Sequence, residues 1–511
     1  MSAIGRLDGQ TMNAPIDAYT QLERRFRRLA LVGQAAAVLH WDRATVMPPG
    51  GAAARSEQSA ELALLRHEMI GDPALAELLD TAETAAADLD LWQAANLREM
   101  RRRWRRETAV PADLVAASVK ANQASEMHWR QARPANDFAG QRPYLERVLA
   151  LVREAAQARA EALGLAPYDA LLDGYEAGLT GAAAEPILAE LAAFLPPFLD
   201  RVLARQAELG PALPLTGSFP RAAQKRLGEQ LMRTLGFDFE HGRLDESHHP
   251  FSGGVPDDVR ITTRYEDDDF SSALLAVLHE TGHALYAMHL PPAWRYQPVG
   301  EAMGMLVHES QSLIVEMQAC RSDAFLAYLA PLLRDAFGVD SPAWAPENLA
   351  RNFRRVSRDL IRVDASEVTY PLHVILRYRL EQAMLAGELA VGDLPGTWDD
   401  GMQALLGVRP PDLRRGCMQD IHWFSGAFGY FPTYTLGAVA AAQLFEAASR
   451  DADLESAVAE GDFRPLTRWL GEQVHGRGRL HENYDALLLE ATGQPLHAAP
   501  FLAHLERRYG G

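Results

Sequence analysis

Helical periodicity over residues 16–210 is the feature that most limits the folds open to this chain. The segment is rich in Ala, Leu, Arg, Glu and Gln, and its apolar residues recur at every third or fourth position, as in LVREAAQARAEALGL. These residue types favour helix, and that spacing gathers the apolar side chains on one helix face. Around residues 48–51, two prolines and two glycines predict a turn between two helices. The sequence therefore predicts a mainly α fold.

A single stretch carries a convincing strand signal. In residues 249–269, Val259 and Ile261 alternate with arginine and threonine between two clusters of turn-forming residues. We expect a small antiparallel β-sheet there. No repeat, low-complexity tract or long Gly/Ser linker divides the sequence. The interpretation is one large helical globule, a single domain over residues 1–511, with an N-terminal helical part over about 1–210.

The charge and composition of the chain disfavour several classes of binding partner. The formal net charge of -18 repels phosphate groups, which disfavours a nucleic acid or an anionic membrane surface. The two cysteines, Cys320 and Cys417, lack a C-x-x-C spacing, so neither a disulfide framework nor a thiolate metal site is predicted. The first residues do not resemble a secretory signal, and no stretch approaches the roughly 18 apolar residues of a membrane span. We expect a cytoplasmic protein with a peptide or small-molecule partner.

A basic run, REMRRRWRRE at residues 98–107, has two interpretations. Taken alone it resembles a nucleic-acid patch. Because the chain is acidic overall, the favoured interpretation is the solvated face of a long helix, with Trp104 turned inward.

The stretch VLHETGHALYAMH, residues 277–289, contains an H-E-x-x-H motif on a predicted helix. His279 and His283 are one turn apart, so both imidazoles project from one face and can bind one metal ion. Glu280 is displaced by about 100°, close enough to reach a water molecule beside the metal. Gly282 costs up to about 1 kcal/mol relative to alanine inside a helix, so we expect a close neighbour there. The alternative is a helix that merely contains two histidines.

A catalytic zinc site of this type needs a third protein ligand and an open fourth position. The segment VGEAMGMLVHESQSLIVEMQACRSDAF has helical periodicity, and it lies far enough downstream for a loop and a second, antiparallel helix. We predict Glu309 in this segment as the third ligand. Glu301 and His308 are the rival candidates.

Together with further motifs, these residues resemble a known family, the carboxypeptidase Taq family of zinc metallopeptidases. The resemblance rests on HETGH at 279–283 and HESQ at 308–311. Four more motifs of that family appear in order: HPF at 249–251, DVRIT at 258–262, IRVDAS at 361–366 and GCMQDIHW at 416–423, the last continuing into FSGAFGYFPTYTLG.

The resemblance implies a nearly all-helical, homodimeric metallocarboxypeptidase that removes single residues from peptide C-termini with broad specificity. It implies a deep active-site cleft, covered by the N-terminal helical part, with the zinc and substrate site over about residues 245–440. One zinc ion per chain is expected, with cobalt as a possible substitute. Carried over by position, His279, His283 and Glu309 are the ligands, and Glu280 is the general base and then the general acid.

Further residues are assigned to the substrate. Tyr430, Tyr434 and His422 are candidate donors to the oxyanion that forms on the scissile carbonyl, although their apolar surroundings also suit ordinary core packing. Arg362 and Arg260 are candidates for binding the terminal carboxylate, because a guanidinium matches its geometry; the alternative is a structural ion pair.

Two positions in the family motifs need separate mention. His249, in the HPF motif, is assigned to substrate binding by the resemblance. The IRVDAS motif departs from the family pattern, because Ser366 stands where aspartate is usual. A hydroxyl supplies no charge, so the orientation of Arg362 is in question, and Asp364 or Glu367 are the residues that would compensate.

Two other functions compete with this prediction. A zinc endopeptidase or aminopeptidase shares the metal chemistry and differs only in the ends of its cleft. A peptide-binding protein that retains zinc for stability would bind without cleaving, which the intact Glu280 disfavours. A serine or cysteine hydrolase has little support, because the sequence contains no G-x-S-x-G elbow.

Overall fold

The computed structural model describes residues 14–510. In that range the chain forms twenty α-helices and three β-strands. The helices are α1 (Ala14–Ala44), α2 (Ala52–Ile70), α3 (Pro73–Glu83), α4 (Leu91–Thr108), α5 (Ala112–Ala135), α6 (Phe138–Leu163), α7 (Pro167–Tyr175), α8 (Gly181–Leu209), α9 (Arg221–Leu235), α10 (Ser271–Met288), α11 (Met305–Leu313), α12 (Asp323–Phe337), α13 (Pro346–Phe353), α14 (Tyr370–Ala386), α15 (Leu394–Leu406), α16 (Pro432–Asp451), α17 (Leu454–Ala459), α18 (Arg464–Gln473), α19 (Tyr484–Thr492) and α20 (Ala499–Leu505). The strands are β1 (Gly242–Glu246), β2 (Phe251–Val255) and β3 (Asp258–Thr263). The predicted mainly helical fold with one small sheet is confirmed.

The sheet is mixed, whereas the sequence predicted an antiparallel one. Strands β2 and β3 form an antiparallel hairpin, with Ser252 opposite Ile261. Strand β1 pairs with the other edge of β3 in parallel, with Leu244 opposite Ile261. The chain reverses direction twice between β1 and β3, so β3 runs parallel to β1 when it enters the centre of the sheet. Buried side chains of the sheet pack against α10, which fixes the sheet beside the histidine motif.

The N-terminal helices have an apolar cluster of their own. Leu22 and Phe26 of α1 pack with Leu79 of α3 and with Leu97 and Met100 of α4. The main core begins with α5 and extends to the C-terminal residues. Helices α1 to α4 therefore form a separately packed layer, while α5 to α9 belong to the body of the protein.

The basic run on α4 joins these two parts. Arg98 donates hydrogen bonds to the backbone carbonyls of residues 479–481. Arg103 forms a 2.7 Å ion pair with Glu301. The interpretation as a solvated helix face is wrong for these arginines, since their guanidinium groups bridge α4 to the body. Trp104 is turned toward the N-terminal cluster, as expected.

Helix α10 carries the H-E-x-x-H motif and is fixed at both ends. At its start, Oδ1 of Asp269 accepts a hydrogen bond from the backbone amide of Ser271 at 2.8 Å, as the acidic run before the helix predicts. The helix ends at Met288, shortly before two prolines. None of the helices within residues 14–510 combines the length and the apolarity needed to cross a membrane.

Candidate active site

Two adjacent helices bring the three predicted metal ligands together. His279 and His283 on α10 and Glu309 on α11 each offer a donor atom, and these atoms all lie within 4.8 Å of one another. Nε2 of His283 is 3.6 Å from Oε2 of Glu309. The close neighbour expected at Gly282 is the backbone of α11, because a Cβ there would lie 2.4 Å from the Gln311 carbonyl oxygen.

The orientation of His279 is set by a residue that the sequence reasoning missed. Its Nδ1 lies 2.9 Å from Oε2 of Glu316, and Arg321 donates to the other oxygen of that carboxylate at 2.5 Å. Since a carboxylate only accepts, Nδ1 carries a proton, so Nε2 is the nitrogen that remains to bind a metal. Glu316 lies in a π-helical turn, Ile314–Ala319, that continues α11. The periodicity of a regular helix does not predict such a turn.

The orientation of His283 is set by the backbone of α11. Its Nδ1 donates to the carbonyl oxygen of His308 at 3.0 Å, which again leaves Nε2 free to bind a metal. His308 was a rival third ligand, and its ring instead lies behind His283, with the two Nδ1 atoms 2.8 Å apart. The other rival, Glu301, is held by Arg103. Among the described residues the candidate ligand set contains Glu309 and neither rival.

Several buried carboxylates concentrate negative charge around the ligands. Burial disfavours a protonated His279, but the hydrogen bond to Glu316 and the charge of Glu309 outweigh it and raise the pKa of His279 to about 10. Glu280 is 8% exposed, and burial raises its pKa to about 7 against the effect of His279. The surroundings therefore favour a bound cation, and burial of Glu280 makes its protonated form more accessible, as a group that acts as both base and acid requires.

Helix α11 is held in place from three sides. Beyond the contact at Gly282, a Cβ on Gly437 of α16 would lie 2.9 Å from Cβ of Glu309, so only glycine fits against this candidate ligand. At the start of α11, the backbone amides of Gly304 and Val307 each donate to the Glu176 carboxylate at 3.1 Å. A carboxylate at this end also complements the helix dipole. Glu176 comes from the segment after α7, so sequence spacing gave no signal for it.

Arg362 lies on the wall of the same cavity, which has a volume of about 570 Å³. Its Nε and one terminal nitrogen donate to Oδ1 of Asp420 at 3.1 and 2.8 Å. The other terminal nitrogen donates to the Tyr370 hydroxyl at 2.5 Å. Arg377, which is 1% exposed, donates to the second oxygen of Asp420. Two guanidinium groups thus share one carboxylate, and the cluster carries a net positive charge beside the cavity.

The candidate oxyanion donors divide into two groups. Tyr430 and Tyr434 line the cavity, and burial raises the pKa of both phenols, which keeps them protonated as donors. His422 does not line the cavity; its ring stacks on Tyr430 with 5.6 Å between centroids. Its Nδ1 is buried without a hydrogen-bond partner among the described residues. His422 therefore supports a tyrosine of the wall in this conformation.

Two predicted substrate residues lie away from the cavity. The Arg260 guanidinium pairs with Asp258 at 2.6 Å and lies 4.1 Å from the centre of the Trp41 ring. His249 is exposed, and its ring packs on His248. Neither side chain lines the cavity, although Pro250, Phe251 and Ser252, next to His249, do.

Ser366 and the residues proposed to compensate for it have different surroundings. Ser366 lines the cavity, and its hydroxyl lies 3.0 Å from that of Thr369 within a tight turn. Asp364 is exposed and is not on the cavity wall. Glu367 is on the wall, where it binds His504 at 3.0 Å and Arg508 at 3.1 Å. Arg362 is oriented by Asp420, so neither candidate replaces an aspartate at position 366 in this role.

The match to a family model decides the classification. The model described as carboxypeptidase Taq (M32) metallopeptidase matches residues 21–509. The chain belongs to this family. A metallopeptidase family implies a bound metal ion, and the His279, His283 and Glu309 cluster is the set of residues that meets this requirement within the described part of the chain.

Individual relatives agree with the family match. Thermostable carboxypeptidase 1 of Thermus thermophilus is 39% identical over 506 residues, which cover 97% of this chain and 99% of that relative. Carboxypeptidase 1 of Bacillus subtilis is 31% identical, with 94% and 96% covered. The solved structure of Trypanosoma cruzi metallocarboxypeptidase 1 superposes with a TM-score of 0.95 at 40% identity, covering 97% of this chain and 100% of that chain. The predictions of the family and of a peptide hydrolase of the metallocarboxypeptidase class are confirmed.

Proposed function

We propose that this chain is a zinc-dependent metallocarboxypeptidase that hydrolyses the C-terminal peptide bond of peptides with broad specificity. The observation that carries the proposal is the pairing, in one cavity, of a His–His–Glu ligand set with a cationic cluster around Arg362. The first is suited to peptide hydrolysis, and the second is suited to binding a terminal carboxylate. Peptides with a free C-terminus are the substrate class that requires both.

The ligand set fits zinc. Two imidazoles whose second nitrogens are engaged by Glu316 and by a backbone carbonyl, together with the Glu309 carboxylate, match the three protein ligands of catalytic zinc sites. When bound there, zinc lowers the pKa of a water molecule to about 7 and polarises the scissile carbonyl as a Lewis acid. By analogy with the family, we expect one zinc ion per chain and activity with cobalt in its place.

Glu280 moves the proton in the proposed mechanism. Glu280 lines the same cavity as the proposed ligands, close to Ser252. As the ionised base it takes a proton from the attacking water, and as the acid it passes that proton to the leaving amine. Burial raises its pKa, which helps the carboxyl to hold the proton between the two steps.

Other groups on the wall of the cavity position the substrate. The phenols of Tyr430 and Tyr434 can donate hydrogen bonds to the oxyanion that develops on the scissile carbonyl. The Arg362 guanidinium can bind the terminal carboxylate, because Asp420 neutralises only one of the two arginines that share it. An amidated C-terminus has no charge to offer this cluster and is expected to be a poor substrate.

Mass spectrometry of a mixed digest tests the proposal. The zinc-loaded protein is given one peptide with a free C-terminus and its C-terminally amidated twin, together with an N-acetylated free acid as control. Stepwise shortening from the C-terminus of both free acids, with the amide intact, is the expected result. Internal cuts or N-terminal trimming would instead favour an endopeptidase or aminopeptidase, and binding without cleavage would favour a silent peptide-binding protein.

We also propose, from the family resemblance, that the protein is a cytoplasmic homodimer. The absence of a membrane-crossing helix in residues 14–510 is compatible with this location. Light scattering during size-exclusion chromatography measures the mass of the assembly, and a monomer at micromolar concentration would contradict the dimer.

A further inference from the structure

A second cavity, of about 600 Å³, lies between the N-terminal helices and the body of the protein. Its walls come from α2, α4, α5, α6 and α7 and from the loop that precedes Tyr430. Three arginines line it: Arg66 on α2, Arg106 on α4 and Arg159 on α6. Neither the zinc site nor the Arg362 cluster uses any of them.

In the described part of the chain, none of these arginines has a carboxylate in close contact, although the charges of Asp173 and Glu301 act on Arg106 and Arg66 from farther away. Within residues 14–510, no carboxylate lies within 4 Å of any of the three guanidinium groups. Arg106 donates to the Gly174 carbonyl at 2.7 Å, whereas Nε of Arg66 is buried without a partner among the described residues. Burial lowers the pKa of Arg106 and of Arg159, which means that their charges are poorly solvated. Such groups gain from an anionic ligand.

The acidic residue nearest in the lining does not cancel the charge. Glu107 is on the wall, but its carboxylate pairs with Arg103 at 3.0 Å. The whole chain carries a net charge of -18. The three arginines give the lining of this cavity a charge opposite in sign to that of the protein as a whole. The cavity therefore favours anions that most of the surface repels.

The second cavity adjoins the candidate active site by two routes. Tyr175 on its wall packs against Tyr430 of the first cavity, with 4.9 Å between ring centroids. In addition, Arg66 borders a third cavity of about 410 Å³, which shares Ser252 and the ligand His283 with the first. The three cavities are therefore neighbours, linked through residues that touch or that line two of them.

We propose that the second cavity is a subsite for acidic side chains that lie upstream of the C-terminal residue of a peptide substrate. This inference rests on the proposed function and adds a substrate preference to it. Carboxylates of aspartate or glutamate would form charge-assisted hydrogen bonds with Arg66 and Arg159, which line the cavity and form no ion pair within 4 Å in residues 14–510. Peptides with an acidic N-terminal part are the favoured substrates.

The test compares two peptides that share their last four residues and differ upstream, one with three glutamates and one with three glutamines. For the wild-type holoenzyme we expect kcat/KM for the acidic peptide to exceed that of its twin by about tenfold, with a ratio that falls as salt is added. In the Arg66→Gln/Arg159→Gln variant the ratio should fall toward one. Arg147→Gln, an exposed arginine of α6, is the matched control and should keep the wild-type ratio. When a single glutamate is moved along the peptide, kcat/KM should be highest with the glutamate at one or two positions.

The outcomes separate this inference from the proposed function. If both peptides are trimmed at the C-terminus with equal kcat/KM by the wild-type enzyme, the subsite is wrong and the carboxypeptidase stands. If neither is trimmed, the proposed function fails, and calorimetric binding of the two peptides to the wild-type protein still tests the subsite. Equal affinities would then overturn it. Loss of inorganic phosphate binding in the double variant, with an unchanged peptide ratio, would identify a small-anion site and would also overturn it.

Discussion

The two walls of the candidate active site carry buried charge of opposite sign. On the wall made by α10, α11 and the π-helical turn, Glu280, Glu309 and Glu316 gather around two histidines. On a second part of the wall, Arg362 shares the single carboxylate of Asp420 with the buried Arg377. The first cluster favours a cation and the second favours an anion. A metallocarboxypeptidase needs both, because it holds a metal cation and its peptide substrate carries a terminal carboxylate anion.

The difference also appears in how the carboxylates titrate. Burial raises the pKa of Glu280 and of Glu309 on the first wall, whereas beside Glu316 on that wall Arg321 and His279 outweigh burial and lower the pKa. On the second wall burial acts in the same direction on Asp420, but Arg377 and Arg362 outweigh it and hold its pKa well below the usual range. Comparable burial thus has opposite outcomes, and the number of guanidinium groups nearby decides which one results.

The largest expected effect comes from removing the base on the anionic wall. Glu280→Gln should lower kcat by about 10³-fold, because the amide cannot take the proton from water. Metal content, measured by elemental analysis, should stay at the wild-type level, since Glu280 is not a ligand. Glu388→Gln, an exposed position, is the control. A decrease of less than about tenfold would rule out this role for Glu280.

The next effect concerns the cationic wall. Arg362→Gln should raise KM and lower kcat/KM for a free-acid peptide by about 100-fold, because the terminal carboxylate loses a charge-assisted, bidentate partner. Arg362→Lys keeps the positive charge but loses the planar, two-pronged guanidinium group. Its kcat/KM should lie between those of Arg362→Gln and the wild type. Steady-state kinetics measures both. An unchanged KM in Arg362→Gln, with zinc still bound, would remove this residue from the substrate site.

A smaller effect is expected where Glu316 orients His279. Glu316→Gln should weaken zinc binding by about 10- to 100-fold, because the amide no longer fixes the imidazole or increases its basicity. Competition with a chelator measures this affinity without any turnover. Arg321→Gln, which leaves the carboxylate in place, should have a lesser effect. Equal affinity in Glu316→Gln and wild type would show that another contact orients the ring.

The smallest effect is a pH dependence of stability. Burial raises the pKa of Glu176, which holds the start of α11, to about 7. Its folded-state pKa lies above the unfolded value near 4.5, so the folded state binds more protons, and the free energy of unfolding falls as pH rises from about 4.5 to 7. In Glu176→Gln, the decrease in the free energy of unfolding between pH 5 and 7 should be smaller than in the wild type by about 1–2 kcal/mol. Denaturant unfolding checks it.

The control for this measurement is Glu190→Gln, an exposed position on α8. It should keep the wild-type slope. A variant at Glu176 with the wild-type slope would mean that this carboxyl does not titrate differently in the folded and unfolded states.

Much of the candidate site could be predicted from local sequence, because several of its residues are spaced by about one helical turn. Positions four apart share a helix face whatever the rest of the chain does, so His279 and His283 were predictable as a pair. The close packing at Gly282 was predictable because glycine is costly inside a helix unless something needs the space. The helical class followed from periodicity in the same way.

Other assignments failed or had no local signal, because they depend on which distant segments meet. Arg260 and Arg362 are both arginines in family motifs, yet one lies against Trp41 and the other on the cavity wall. The arginines of α4 resembled a solvated face because their partners, such as Glu301, are about two hundred positions away in sequence. No spacing rule reaches that far.

By itself, the sequence determined the helical class and a candidate set of metal ligands, His279, His283 and Glu309, since each depends on the periodicity or on the motifs of one or two neighbouring segments. Only the tertiary structure decided the arrangement of charge around them. It placed Glu316 behind His279, Asp420 between two arginines and Glu176 at the start of α11. The physical reason is that buried charges are stabilised by whichever groups lie within a few ångströms, and folding, not sequence order, chooses those groups.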